Sequence, residues 1–324
     1  MRAFVTGGSG FVGKRLIAAL REQGHTVRAL ARSEAAQNEV RLAGAEPSPG
    51  ELSEVAALQR GMEGCDTVFH SAAFVKPWGP RASYFDANVR GTENMLEAAR
   101  GAGVKRFIHV STEAIFADGS PMVNMDETRP LPASPIGHYS ATKGEAEKLV
   151  LTVNSPEFAT VAVRPRFIWG KGDTTLLPLL AQAAKSGRLR WVNGGHYKTS
   201  TCHVANCVEG LLLAAEKGRG GQAYFLTDGA PVDFRDFITA MLKTQGVVPG
   251  KGTIPFGLAM GIATVSELVW NFLSLPGSPP VLRSELLLGG QEVTVSDEKA
   301  RRELGYQGRV SQAEGLRELE QGKS

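Results

Sequence analysis

Through the first half of the chain, short apolar runs alternate with amphipathic stretches of helical length. "RAFVT" (2–6), "TVRALAR" (26–32), "TVFHSA" (67–72), "FIHVS" (107–111) and "TVAVRP" (160–165) read as strands. The stretches 11–23, 53–62, 84–102 and 138–153 read as helices between them. Strand–helix–strand alternation implies right-handed crossovers and a parallel sheet covered on both faces. The pattern therefore predicts an α/β fold with a doubly wound parallel sheet. After about residue 166 the alternation loosens, and Pro and Gly become frequent. That part reads as a second, smaller lobe. Internal repeats and low-complexity segments are absent from the sequence.

Composition narrows the class only a little. With 324 residues, 42% hydrophobic and 21% charged, the chain has an ordinary globular make-up and room for a large core. A net charge of +3 is too small to argue for nucleic acid or an anionic membrane. Cys65, Cys202 and Cys207 are too few and too scattered for a disulfide framework, so a reducing, cytoplasmic location is expected. Cys202, His203 and Cys207 lack a nearby fourth ligand and match no usual zinc spacing, so no metal is expected. "MRAFVTGG" already reads as a strand entering a turn, so no signal peptide is expected.

The turn after the first strand carries the first chemistry. "VTGGSGFVGKRL" (5–16) sets Gly7, Gly10 and Gly13 between a strand and a helix. Gly7 permits the tight turn, Gly10 lets backbone approach a pyrophosphate, and Gly13 lets the helix pack on the sheet. The phosphates would lie at the helix N-terminus, over Phe11 and Val12, where free amides and the helix dipole point. The second strand ends "ALARSE", with Ala31 where an NAD enzyme commonly has an acid. Arg32 and Ser33 follow, and a cation there suits a 2′-phosphate. NADP(H) is the expected cofactor, with NAD(H) admitted.

"YSATK" (139–143) then puts a phenol and an ammonium one helical turn apart. Reduction of a carbonyl needs a proton donor for the nascent alkoxide, and the reverse reaction needs a base. Tyr139 can do both, and Lys143 is placed to stabilise its phenolate. Ser111 and Thr112, at the end of the fourth predicted strand, are both candidates to hydrogen-bond the substrate oxygen.

These segments together resemble the extended short-chain dehydrogenase/reductase family. The likeness runs through "TGGSGFVG" (6–13), "DTVFHSAA" (66–73), "NVRGTENMLEAA" (88–99), "VSTEAIF" (110–116), "YSATK" and "VRPRFIWG" (163–170). It implies a Rossmann-type sheet with strand order 3-2-1-4-5-6-7 and a smaller C-terminal substrate lobe. The expected domains are a dinucleotide-binding unit over 1–166, to which 196–228 returns, and a substrate lobe of 167–195 and 229–324. The resemblance implies Tyr139 as acid/base, Lys143 on the nicotinamide ribose and Thr112 on the substrate oxygen. It implies Asn88 as a support of the active site, Ala72 and Ala73 along the cofactor, and Pro165 to Ile168 beside the nicotinamide. "AAFVKPWG" (72–79), "HVANCVEGLLLAAEKGRGGQAYFLTDG" (203–229) and "SDEKARRELGY" (296–306) resemble the 3β-hydroxysteroid dehydrogenase-like and dihydroflavonol-reductase-like branch. Two departures stand out: the missing acid at Ala31, and "GELSE" (50–54) where relatives often carry "GDL" near the adenine.

Three reactions compete within such a family. Dehydratases resemble "STDE" at the strand end, whereas here Thr112 and Glu113 are followed by Ala114, which disfavours elimination. Epimerases grip a nucleotide diphosphate with basic groups, but this lobe is apolar, notably in "IPFGLAMGIATVSELVWNFLSLPG" (254–277). An alcohol/ketone oxidoreductase acting on a sterol, flavonoid or alkyl ketone is the favoured reading, ahead of a nucleotide-sugar epimerase and a non-catalytic NADP-binding sensor or scaffold. The apolar stretch 254–276 is expected to be a helix covering the substrate pocket. A core helix and a membrane-surface contact are weighed behind it, and a homodimer is left open.

Overall fold

The computed structural model describes residues 1–322. Seven parallel strands form the main sheet, in the order Gln222–Leu226, Ala159–Pro165, Arg106–Val110, Thr67–His70, Arg2–Thr6, Thr26–Ala31 and Glu46–Pro49. Numbered along the chain within this sheet, that is 3-2-1-4-5-6-7, the order the resemblance implies. Neighbouring residues of one strand serve opposite faces. Val5, Phe69 and Ile108 pack with Leu16, Ile17, Leu20 and Leu211 on one side. Phe4, Val68 and Phe107 pack with Leu58, Met95, Ala99 and Val150 on the other. Both faces are dry, so the strands read as continuous apolar runs instead of alternating ones.

Two of the seven strands are absent from the sequence pattern. Glu46–Pro49 is "EPSP", with no apolar run and two prolines. It can be a strand because it lies at the sheet edge, where a missing N–H leaves no ladder partner unpaired. Gln222–Leu226 closes the other edge, pairing with Ala159–Pro165 from more than fifty residues away. Where one helix is predicted over 84–102, a short α-turn at Arg81–Tyr84 leads into a π-turn at Phe85–Arg90 and an α-helix at Gly91–Gly101.

The second lobe is built on a four-stranded sheet of Val232–Asp233, Lys198–Thr199, Val293–Val295 and Met122–Met125. Phe256–Leu273 is a helix of 18 residues with mean hydropathy 1.4, yet only 17% of it is buried. Ala259, Ala263 and Glu267 form its buried stripe, four residues apart. Val265, Leu268 and Phe272 stand in solvent, Phe272 at 88% exposure. The core-helix alternative is therefore wrong: the lobe contacts only one narrow face of this segment. Glu267, the single charge within it, turns inward and accepts hydrogen bonds of 2.7 Å from both the amide and Nε of Arg283.

Candidate active site

Strand ends at Thr6, Ala31, His70, Val110 and Pro165 share the carboxyl edge of the sheet, and the predicted site residues follow them there. At Gly7 the backbone takes φ +69°, and a Cβ would lie 2.9 Å from the Ala72 nitrogen. A Cβ on Gly13 would meet the Gly7 oxygen at 2.1 Å, so the helix packs onto the turn only because that atom is missing. Gly10 precedes the helix Phe11–Glu22 in extended conformation, and no side chain caps it. The first-turn amides at Phe11, Val12 and Gly13 thus have no internal acceptor, the donor set that a phosphate fits. Ala72, with Ala73 after it, is held against this turn by its amide, which donates to Thr6 Oγ1 at 3.1 Å. These residues fit a dinucleotide.

Arg32 is exposed and makes no hydrogen bond or ion pair among the described residues. Ser33 beside it caps the helix Glu34–Leu42, accepting from the Ala36 amide at 3.2 Å, so its hydroxyl is already engaged by the fold. Pro165 ends its strand, and Ile168 begins the two-residue strand Ile168–Trp169 beside Cys202–His203. Between them Phe167 takes φ +50°, unusual for a bulky residue.

Tyr139 and Lys143 lie on the helix His138–Thr152, which packs on the strand Ala159–Pro165 and on the turn Glu113–Phe116. Thr112 lies at the strand end near the Tyr139 hydroxyl and favours its ionised form, while its own Oγ1 donates to Glu113 Oε2 at 2.9 Å. Ser111, the other candidate, is buried with its Oγ unpartnered. Burial pushes the Tyr139 hydroxyl well above its usual pKa, the Glu113 carboxylate adds to the rise, and Thr112 opposes it. The expectation that Lys143 lowers this pKa is not met here. Although the two residues share a helix face, the ammonium turns to the strand, donating to the Val110 carbonyl at 2.7 Å and lying 3.1 Å from His109 Nε2. Burial lowers the Lys143 pKa to about 8 against an opposing pull from Glu147. Burial and that ammonium keep His109 and its neighbour His70 neutral.

Asn88 sits in the π-turn and binds two other elements. Its Oδ1 accepts from the Phe74 amide at 2.7 Å, and its Nδ2 donates to Thr142 Oγ1 at 3.1 Å on the tyrosine helix. Sequence reading passed over His70 and His109 in this region, weighed Glu113 only for elimination, and gave Arg166 no role beyond its place in the stretch Pro165 to Ile168. Glu113 is 4% exposed and Arg166 is 3% exposed, and they pair at 3.0 Å. A second buried pair, Arg164 with Glu147, joins the tyrosine helix to its strand through bonds of 2.9 and 2.6 Å. Charged residues within apolar strand ends, as in "VRPRF", were the available signal: an arginine there needs a buried partner.

The sheet, the uncapped helix and the tyrosine–lysine helix define an NAD(P)-dependent dehydrogenase/reductase. The chain belongs to the 3-beta hydroxysteroid dehydrogenase/isomerase family, whose model matches residues 4–256. It is 53% identical to a 4-hydroxy-2-methyl-3-oxo-4-farnesyl-3,4-dihydroquinoline-1-oxide ketoreductase of Stigmatella aurantiaca, over 99% of this chain and 96% of that one. It is 37% identical to a 2-alkyl-3-oxoalkanoate reductase of Stenotrophomonas maltophilia, over 98% of both. Among solved structures, gox2253 superposes with TM-score 0.79 at 29% identity, covering 99% of this chain and 98% of that one. MoeE5, solved with UDP-glucose and NAD, shares the fold at TM-score 0.74 and 23% identity, over 100% of this chain and 98% of that one.

Proposed function

We propose that this protein reduces a ketone on an apolar, lipid-like substrate to a secondary alcohol, with NADPH as the preferred donor. The observation that carries the reading is that Tyr139 and Lys143 share one face of the helix His138–Thr152, which packs on the turn after Thr112 at the carboxyl edge of the sheet. When bound, the nicotinamide supplies the hydride. Tyr139 gives its proton to the substrate oxygen. Burial and Glu113 keep that phenol protonated at neutral pH, which suits a proton donor and hence the reductive direction. Thr112 holds the oxygen-binding position, and Lys143, still largely protonated at pH 7 with its ammonium on the Val110 carbonyl, serves to hold the nicotinamide ribose. Asn88 keeps the loop at Phe74 locked to the tyrosine helix. Ala114 leaves no second carboxylate for elimination. Substrate class is supported by the names of the two curated relatives, a farnesylated quinoline-oxide ketoreductase and an alkyl-oxoalkanoate reductase.

The NADP preference rests on Ala31 and the unpaired Arg32 guanidinium. Charge-assisted bonds to a 2′-phosphate are worth about 1.5–3 kcal/mol each. Arg32→Ala should therefore lower kcat/KM for NADPH roughly tenfold or more and leave that for NADH within about twofold. An unmoved ratio of the two constants, or a wild-type preference for NADH, would sink the cofactor assignment. The reaction itself is tested by following cofactor absorbance against long-chain alkyl ketones, a sterol ketone, an isoprenylated cyclic ketone and UDP-glucose. Oxidation with any of the apolar ketones supports the reading. No oxidation with any of them, beside epimerisation of UDP-glucose, refutes it.

A further inference from the structure

A single strand takes two of the Lys143 hydrogens. The ammonium donates to the Val110 carbonyl at 2.7 Å and lies 3.1 Å from His109 Nε2. Both side chains are buried, Lys143 at 3% exposure and His109 at 1%. An ammonium has three hydrogens and no lone pair. His109 Nε2 must therefore be the acceptor, which assigns His109 the tautomer with its hydrogen on Nδ1. With two hydrogens committed to the strand Arg106–Val110, the tetrahedral nitrogen fixes the direction of the third.

The neighbouring imidazole is engaged differently. His70 lies 5.4 Å from His109, ring to ring. Thr92 gives its hydrogen to the Asn88 carbonyl at 2.6 Å, so it accepts from His70 Nε2 at 3.0 Å. His70 Nδ1 then accepts from Thr6 Oγ1 at 2.8 Å, and both nitrogens are spent on joining elements of the fold. In His109, Nδ1 has no partner among the described residues, and Nε2 meets Lys143. A buried N–H without a partner costs stability, and an apolar side chain of similar volume would avoid that cost. Packing alone does not account for an imidazole at this position; its contact with the ammonium does.

We propose that His109 is a positioning residue for Lys143: with the Val110 carbonyl it holds the ammonium on the strand, so that the third hydrogen is presented to the nicotinamide ribose. The proposal rests on Lys143 holding that ribose. On its own helix, Lys143 is accompanied by Tyr139 and by Glu147, which is paired with Arg164. The strands bring His109 and His70, and the turn Glu113–Phe116 brings Glu113, paired with Arg166. Arg81, Asp86, Arg90, Glu93, Glu97 and Arg100, on the other elements packed against this helix, are exposed. Burial lowers the Lys143 pKa to about 8, with Glu147 opposing. Burial and the ammonium hold His109 neutral, as an acceptor must be. Replacing that acceptor by an apolar group would disfavour the charged lysine further.

The test is the pH dependence of NADPH binding, followed by cofactor fluorescence, in wild type, His109→Leu, His109→Gln and Lys143→Met. Leucine removes the acceptor, whereas glutamine keeps an acceptor oxygen. Wild-type affinity should weaken above about pH 8, as the ammonium is lost. In His109→Leu the weakening should begin about one pH unit lower. The ratio of its dissociation constant to that of wild type should thus grow roughly threefold between about pH 6 and about pH 7.5, and approach tenfold by about pH 9. His109→Gln should stay within about twofold of wild type throughout. A general loosening of the fold would weaken binding equally at every pH. Should Lys143→Met bind NADPH as wild type does, the ribose role fails, and His109 is judged without cofactor by thermal melting. The gain in melting temperature from Lys143→Met should fade above about pH 8 in the wild-type background, and from about one unit lower in the His109→Leu background. Equal pH dependence in the two backgrounds overturns the proposal. So does a His109→Leu binding ratio that is flat with pH, or a His109→Gln variant that loses affinity as His109→Leu does.

Discussion

At Lys143 the proposed chemical role runs against stability. It is 3% exposed, and burial lowers its pKa from 10.5 to about 8. A base with a depressed folded pKa is charged more readily in the unfolded chain. Below about pH 8 both states carry the proton, so the folded state bears the full cost of a buried charge. As pH rises from about 8 to 10.5 that cost fades, because the folded state no longer needs the proton. The shift corresponds to on the order of 3 kcal/mol, part of it offset by the bond to Val110. Lys143→Met should therefore melt higher than wild type at pH 7, cofactor-free, while losing most of its turnover. The gain should shrink by pH 10. Calorimetry at the two pH values checks this; a variant less stable at pH 7 would show that the lysine contributes to the fold.

At the scale of elements, the site depends on how a π-turn, a loop and a helix are joined. Asn88→Ala would leave the half-buried Phe74 amide and the buried Thr142 hydroxyl without this partner. An unpaired buried donor costs about 1–3 kcal/mol, and each kcal/mol corresponds to roughly 2–4 °C for a chain of this size class. The variant should lose several degrees in a melting scan and lose kcat as the tyrosine helix loosens. An unchanged melting temperature would mean that water replaces the side chain at no cost. Elements were legible where their signal was local. The glycine turn and the i to i+4 spacing of Tyr139 and Lys143 are properties of adjacent residues, and the structure keeps them. "EPSP" was not legible, because edge position makes it a strand and sequence does not state which strand is last. The direction of the Lys143 side chain was not legible either, since helix spacing fixes its face but not whether it reaches Tyr139 or the Val110 carbonyl.

For the molecule as a whole, the parallel sheet with dry faces could be read from apolar runs alone. Contacts between distant segments could not. Arg166 meeting Leu288, and Met122–Met125 pairing with Val293–Val295, follow from tertiary closure. The helix Phe256–Leu273 marks the same limit: its composition signals burial, yet Leu268 and Phe272 stand outside the lobe core. Changing both to Ser should alter unfolding free energy by less than about 1 kcal/mol, within the usual range for surface positions. Ala263→Asp on the buried stripe should cost several times more, because it places a charge against the lobe. Equal destabilisation by the two changes, measured in denaturant, would show that the outer face is packed in solution.

Net hydride transfer to an apolar ketone, with Tyr139 as proton donor, is measured most directly with NADPH deuterated at the transferred position, followed by mass spectrometry of the alcohol. Wild type should place one deuterium on the carbinol carbon with stoichiometric loss of cofactor absorbance. Tyr139→Phe should bind the cofactor within about twofold but form product on the order of a hundred- to ten-thousandfold more slowly. An unlabelled alcohol, or a Tyr139→Phe variant retaining more than half of the wild-type rate, would contradict this mechanism.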